Sequence, residues 1–146
     1  MDPATRTALV TGANRGFGRA LAGELLARGA TVYAAARDPR SIDLPGAVPL
    51  PLDVTDPASV AAAARAARGV DLLVDNAGID TGTDLLTGDW ADIEAELGVY
   101  YLGTLAVTRA FLPQLEAARG SVLNVLSWLS FPAPVPTAPP SRRPGR

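Results

Sequence analysis

The sequence predicts an α/β fold, a doubly wound and mostly parallel sheet of about five strands with helices on both faces. Three observations carry this prediction. Short apolar runs alternate with stretches of helical periodicity across residues 1–131. Glycine or proline punctuates the junctions, and no internal repeat competes with a single layered domain. Strand–helix–strand alternation implies right-handed crossovers and a sheet covered on both sides. With 146 residues the chain suits one such domain better than two.

Thr7-Ala8-Leu9-Val10 is an apolar run that stops at the turn-former Gly12, and it reads as a buried strand. A helix follows from about Gly16 to Arg28, with Leu21 and Leu25, and Ala22 and Leu26, at i,i+4 spacing. Gly29 suits its C-terminal end. Thr31 to Ala36 forms the second strand, closed by Asp38-Pro39. The third, Val48-Pro49-Leu50-Pro51-Leu52, carries two prolines that confine it to an edge, where missing ladder donors cost least. Asp56 is placed to N-cap an alanine-rich helix through Arg65. Val70 to Val74 is the fourth strand, ending in the turn Asn76-Ala77-Gly78.

From about Asp89 to Leu112, apolar positions recur at Ile93, Leu97, Tyr101, Leu105, Thr108 and Leu112, one face of a long helix. Gly103 in its middle costs about 1 kcal/mol against alanine, which points to close packing there. Ser121 to Leu126 is the fifth strand. Residues 132–146 are dense in proline and arginine, and we expect a disordered tail with polyproline character.

Composition closes off much chemistry. There is no cysteine and no histidine, and all 13 basic residues are arginine. Thiolate chemistry, cysteine or imidazole metal sites, Ser-His triads and lysine Schiff bases are therefore excluded within this sequence. A net charge of −2 gives no general attraction to nucleic acid or to anionic membranes. The arginines near the C-terminus offer only weak, salt-sensitive phosphate contacts with no aromatic between them. Neither a signal-peptide pattern nor a run of eighteen apolar residues is visible, so the expectation is a soluble, cytoplasmic protein.

The chemistry that remains gathers at Thr11-Gly12-Ala13-Asn14-Arg15-Gly16-Phe17-Gly18, between the first strand and the first helix. Glycines there let the backbone turn sharply and approach a pyrophosphate resting on the free N–H groups of a helix N-terminus. The spacing is G-x-x-x-G-x-G, and the lysine of a phosphate-binding Walker loop is missing. A glycine turn alone is equally compatible with a plain structural turn.

Four motifs in order make the pattern specific. Thr11 to Gly18 resembles the cofactor fingerprint of the short-chain dehydrogenase/reductase family. Leu52-Asp53-Val54-Thr55 resembles the family segment whose aspartate contacts the adenine. Asn76-Ala77-Gly78 resembles the motif that steadies the central sheet and borders the cofactor. Asn124-Val125-Leu126-Ser127 resembles the fifth-strand end that carries the catalytic serine, here Ser127. The resemblance spans about Thr5 to Phe131. It implies a Rossmann-like sheet and an oxidoreductase that moves a hydride between a dinucleotide and a carbonyl or secondary alcohol. It also implies pairing of copies through the helix near 89–112.

The end of the second strand discriminates the cofactors. A carboxylate there binds the ribose hydroxyls of NAD, whereas arginine accommodates the 2′-phosphate of NADP. Ala36-Arg37 stands at that end, and Arg15 lies inside the glycine turn. Two guanidiniums can clamp one phosphate through charge-assisted bonds. Asp38 is the rival acid, about twenty residues beyond Gly18. The expected cofactor is NADP(H), with NAD the alternative.

The resemblance also exposes gaps. The family's relay asparagine falls three residues before Gly103, where Tyr100 stands, more simply a packing aromatic. No tyrosine follows Tyr101 and no lysine occurs, so the family's Tyr-x-x-x-Lys is absent from these residues, and the expectation is that the sixth and seventh strands are absent with it. A fifth strand left as an open edge is an aggregation hazard. Two further readings follow: a non-catalytic dinucleotide-binding module, or a remnant whose coding frame shifts near Phe131.

Overall fold

The computed structural model describes residues 6–126; Ser127 and the expected tail at 132–146 lie outside the described residues. Five strands form one fully parallel sheet: β1 (Thr7–Thr11), β2 (Thr31–Ala36), β3 (Val48–Pro51), β4 (Leu72–Asp75) and β5 (Ser121–Asn124), in the order β3-β2-β1-β4-β5. The helices are α1 (Gly16–Ala27), α2 (Pro57–Ala66), α3 (Trp90–Leu97) and α4 (Thr104–Ala118). This is the Rossmann-like α/β architecture the sequence predicts. The proline-bearing β3 takes an edge, as its missing donors require.

The sheet is apolar on both faces because both are covered. On one side, Ala8, Val10, Val32, Ala34 and Val74 pack against Ala22 and the leucines of α1. On the other, Leu9, Ala35, Leu50 and Leu73 meet Val60 and Ala63 of α2, and Val107, Phe111 and Leu115 of α4. Phe111 and Leu9 are fully buried, so truncating Phe111 to alanine would cost about 3–5 kcal/mol. Gln114 joins the two helices of this face. Its amide donates to the Ala64 and Ala67 carbonyls at 3.1 and 3.0 Å and accepts from the Val70 N–H at 3.1 Å. Those are groups that the end of α2 and the entry to β4 would otherwise leave unpaired.

Strand order reverses direction between β1 and β4. Crevices at such switch points, outside the carboxyl ends of the strands, are where open α/β sheets bind ligands. Here the two turns that meet at that point are the glycine turn after β1 and Asn76-Ala77-Gly78 after β4.

The long helix differs from its sequence reading in two ways. It is continuous in path but contains a π-helical segment, Gly98–Gly103, between α3 and α4. Its core-facing side is Val107, Phe111 and Leu115, while Leu97, Tyr101, Leu105 and Leu112 are exposed. The helix is apolar on two sides, and the sheet takes the one carrying Val107, Phe111 and Leu115, beside which Thr108 bonds to Asp75 and Gln114 bonds to the end of α2. Gly103 is closely packed, as expected: a Cβ there would stand 2.8 Å from Val54 Cγ2.

Candidate functional site

Two glycine conformations shape the turn after β1. Gly12 and Gly16 have φ of +65° and +56°, in the left-handed region that costs other residues about 1–2 kcal/mol. Arg15 precedes α1 as its N-cap in an extended conformation and makes no side-chain cap bond, and no acid sits in the first turn. The first N–H groups of α1 therefore have no side-chain acceptor, and the local charge is positive. Backbone donors, helix dipole and a guanidinium converge there on a position that would stabilise an anion.

Tertiary bonds hold that turn against the end of β4. The Thr11 hydroxyl accepts from the N–H groups of Asn76 and Ala77, each at 2.9 Å, and donates to the Val74 carbonyl at 3.3 Å. The Asn76 side-chain amide donates back to the carbonyls of Thr11 at 2.9 Å and Gly12 at 3.3 Å. Thr11 is buried beneath the turn, not in the crevice, so its role is to fix two loops 65 residues apart. Gly18 leaves room for this arrangement, since a Cβ on it would collide with the Asn76 amide and the Gly12 carbonyl.

Above these loops lies an open cleft of about 1040 Å³. It gathers Gly12, Asn14, Arg15, Gly16, Phe17 and Gly18 from the first turn, Arg37 from the end of β2, Asp53 and Val54 after β3, and Asn76, Ala77 and Gly78 after β4. Twelve of the thirteen residues singled out as cofactor-binding in the sequence thus share one wall-to-wall space, with Thr11 below it. Ser127 lies outside the described residues. One wall was missed by the sequence: Ala91 and Ala95 of α3 and Gly98 at the start of the π-helical segment, at i, i+4 and i+7. That small-residue spacing was legible but was overshadowed by the larger apolar residues beside it.

Electrostatics divide the cleft. Asp53 accepts from the Thr55 N–H at 2.9 Å and the Thr55 hydroxyl at 2.7 Å. Those bonds, with a smaller contribution from the charge of Arg37, hold its carboxyl below the usual range, so it stays ionised. Asp38 also lines the cleft, and its carboxylate is occupied by Arg40, which donates from its backbone N–H at 3.0 Å and its guanidinium at 2.9 and 3.1 Å. Those bonds lower its pKa.

Behind the cleft, burial raises the Asp75 carboxyl to about 6, against which the Thr108 hydroxyl donates one bond at 3.1 Å. Tyr100, in the π-helical segment, donates its hydroxyl to the Ile79 carbonyl at 2.5 Å and lays its ring over Gly78. It clamps the loop after β4, in keeping with a packing aromatic. No cluster of acidic, histidine or cysteine side chains among the described residues could hold a metal, and none of the described helices is long and apolar enough to cross a membrane.

Comparison with known proteins finds relatives of this arrangement. The family model described as short chain dehydrogenase matches residues 6–138. An uncharacterized oxidoreductase of Myxococcus xanthus is 36% identical over 140 residues, covering 86% of this chain and 55% of its own length. The 3-oxoacyl-acyl-carrier-protein reductase of Salmonella typhimurium is 40% identical over 121 residues, covering 73% of this chain and 50% of its own. A crystal structure of a short chain dehydrogenase from Burkholderia cenocepacia in complex with NADP superposes with a TM-score of 0.86 at 40% identity, covering 91% of this chain and 58% of that one. The chain thus spans about half the length of the relatives it matches.

Proposed function

The chain belongs to the short-chain dehydrogenase family, and on that premise we propose that residues 1–131 form an NADP(H)-binding domain of an oxidoreductase acting on a carbonyl or secondary alcohol. The observation that carries the proposal is the anion cradle between β1 and α1. A glycine-rich turn, uncapped helix N–H groups and Arg15 face the same cleft as Arg37. A dinucleotide pyrophosphate fits that cradle, because nothing lies within 4 Å of the position a Cβ on Gly16 would take. Arg15 and Arg37 supply the charge that a 2′-phosphate requires, and the Burkholderia relative is a complex with NADP.

When bound, the dinucleotide supplies or accepts the hydride; the protein supplies position and proton. In this reading Asp53 and Val54 border the adenine, Asn76, Ala77 and Gly78 form the floor, and Ser127 hydrogen-bonds the substrate oxygen. Copies pair through the exposed stripe Leu97, Tyr101, Leu105 and Leu112. A cytoplasmic setting belongs to the same reading.

The test is an equilibrium titration of the purified chain with NADPH and, separately, NADH. Saturable binding at least about tenfold tighter for NADPH, about 1.4 kcal/mol, supports the proposal. Binding of neither overturns it.

A second reading is favoured by one observation: no lysine occurs in the 146 residues and no tyrosine follows Tyr101. On this reading the sequence as it stands binds the dinucleotide without turning over substrate. Reduction of any carbonyl substrate by the purified chain, followed at the NADPH absorbance, excludes it.

A further inference from the structure

Asp38 raises a problem for an NADP site. It follows Arg37 directly at the end of β2 and lines the cleft, so its carboxylate stands where ribose hydroxyls or a 2′-phosphate would be read. A free carboxylate there favours ribose hydroxyls, accepts from the Arg37 guanidinium beside it, and repels a phosphate dianion.

The structure removes that carboxylate from use locally. Asp38 N-caps a single 3-10 turn, Pro39–Ser41, with Pro39 at its first position. One carboxylate oxygen accepts from the Arg40 N–H and Nε, the other from Nη2, so both oxygens are engaged by one residue. The Ser41 hydroxyl donates to the Asp38 carbonyl at 2.6 Å and closes the turn. Arg37 and Ser41 share the cleft with Asp38, but Arg40 lies outside its lining. Arg40 therefore neutralises Asp38 from the solvent side and leaves Arg37 unpaired with it.

We propose that Arg40 is a positioning residue that sets dinucleotide preference: by pairing with Asp38 it prevents that carboxylate from reading ribose hydroxyls and keeps Arg37 available for the 2′-phosphate. The inference rests on the cofactor reading above and extends it to a residue outside the cleft. Because Arg40 and Asp38 are exposed, the pairing is screened by water, and the effect is modest.

The experiment is a double-mutant cycle on the full chain, with dissociation constants for NADPH and NADH measured for the wild type, Arg40→Gln, Asp38→Asn and the double variant. Arg40→Gln is expected to lower the NADPH-over-NADH preference roughly three- to fivefold, and Asp38→Asn in that background to restore it. The loss should shrink at high salt. A merely structural role for Arg40 would weaken both dinucleotides alike and would not be rescued by Asp38→Asn. An unchanged preference in Arg40→Gln, or no rescue, overturns the inference while leaving NADP binding standing. Wild-type protein that binds neither dinucleotide overturns both.

Discussion

The side-chain amide of Asn76 occupies the space that a Cβ on Gly18 would need, and the same amide bridges the carbonyls of Thr11 and Gly12. The glycine at 18 thus serves the junction of two loops as well as any approach of ligand to backbone. Gly18→Ala should force Asn76 or the Gly12 peptide to move, costing about 1–3 kcal/mol in urea denaturation and weakening NADPH binding. Gly16→Ala meets no neighbour and carries only the strain of its positive φ, about 1–2 kcal/mol. If the two variants differ only in stability and not in affinity for NADPH, the link between this junction and the cleft is wrong.

Thr11→Val keeps the shape of the side chain but removes the acceptor for two backbone N–H groups. Each unsatisfied donor costs about 1–3 kcal/mol, so a loss of 2 kcal/mol or more is expected, roughly the lower bound of the two together. Amide hydrogen exchange should show Asn76 and Ala77 deprotected first, whereas global loosening would expose all of β1 and β4 together.

Asp75 gives the protein a pH dependence of known sign. Burial pushes its carboxyl in the folded state up to about 6 from its ordinary value of 3.8, so the native state holds the proton longer than the unfolded chain. Its contribution to stability is fully present below about pH 4, is lost as pH rises through about 6, and stays lost above. Asp75→Asn keeps an acceptor for the Thr108 hydroxyl without a charge to bury. Near pH 7 it should stabilise the fold by an amount of order 2 kcal/mol and remove this slope, with little difference below pH 4. Melts of both proteins across that range check it, and parallel stability curves would contradict it.

Arg15→Ala and Arg37→Ala should each weaken NADPH by about tenfold, the scale of one charge-assisted phosphate contact, and change NADH little. Arg37→Ala should in addition let the Asp53 carboxyl relax slightly toward its ordinary value, since Arg37 contributes to holding it down. Equal losses for both dinucleotides would show that the arginines hold the pyrophosphate, not the 2′-phosphate.

Leu105 is 44% exposed on the outer stripe of α4, away from the buried Phe111 face. Leu105→Arg should therefore leave the monomer's stability within about 0.5 kcal/mol, as for a surface substitution. If copies pair through this stripe, sedimentation velocity should show the variant shifted to monomer, because an unpaired charge would be buried at the interface. An unchanged distribution would place the contact elsewhere.

Much of the site was readable because its requirements are local. A glycine turn after an apolar run specifies backbone freedom next to a helix N-terminus, and Arg15 and Arg37 announce positive charge at fixed offsets from it. Other features were not readable for equally physical reasons. Apolar residues at helical spacing lie on two sides of the long helix, so periodicity identified the stripe through Leu105 but not the buried one through Phe111. Asp38 read as a turn residue or a ribose ligand, and only its closure by Arg40 decides how its carboxylate is spent.

The sequence by itself determined the strand and helix order, the edge position of the proline-bearing third strand and the residues of the cradle, since each follows from propensity, backbone freedom or spacing within a few residues. Tertiary structure alone decided the Thr11–Asn76 junction, the burial that lifts Asp75, the bridging role of Gln114 and the α3 wall of the cleft. These depend on the parallel order β3-β2-β1-β4-β5, which brings the ends of β1 and β4 together across 65 residues. Hydrogen bonds and desolvation act over a few ångströms of space, and distance along the chain does not encode them.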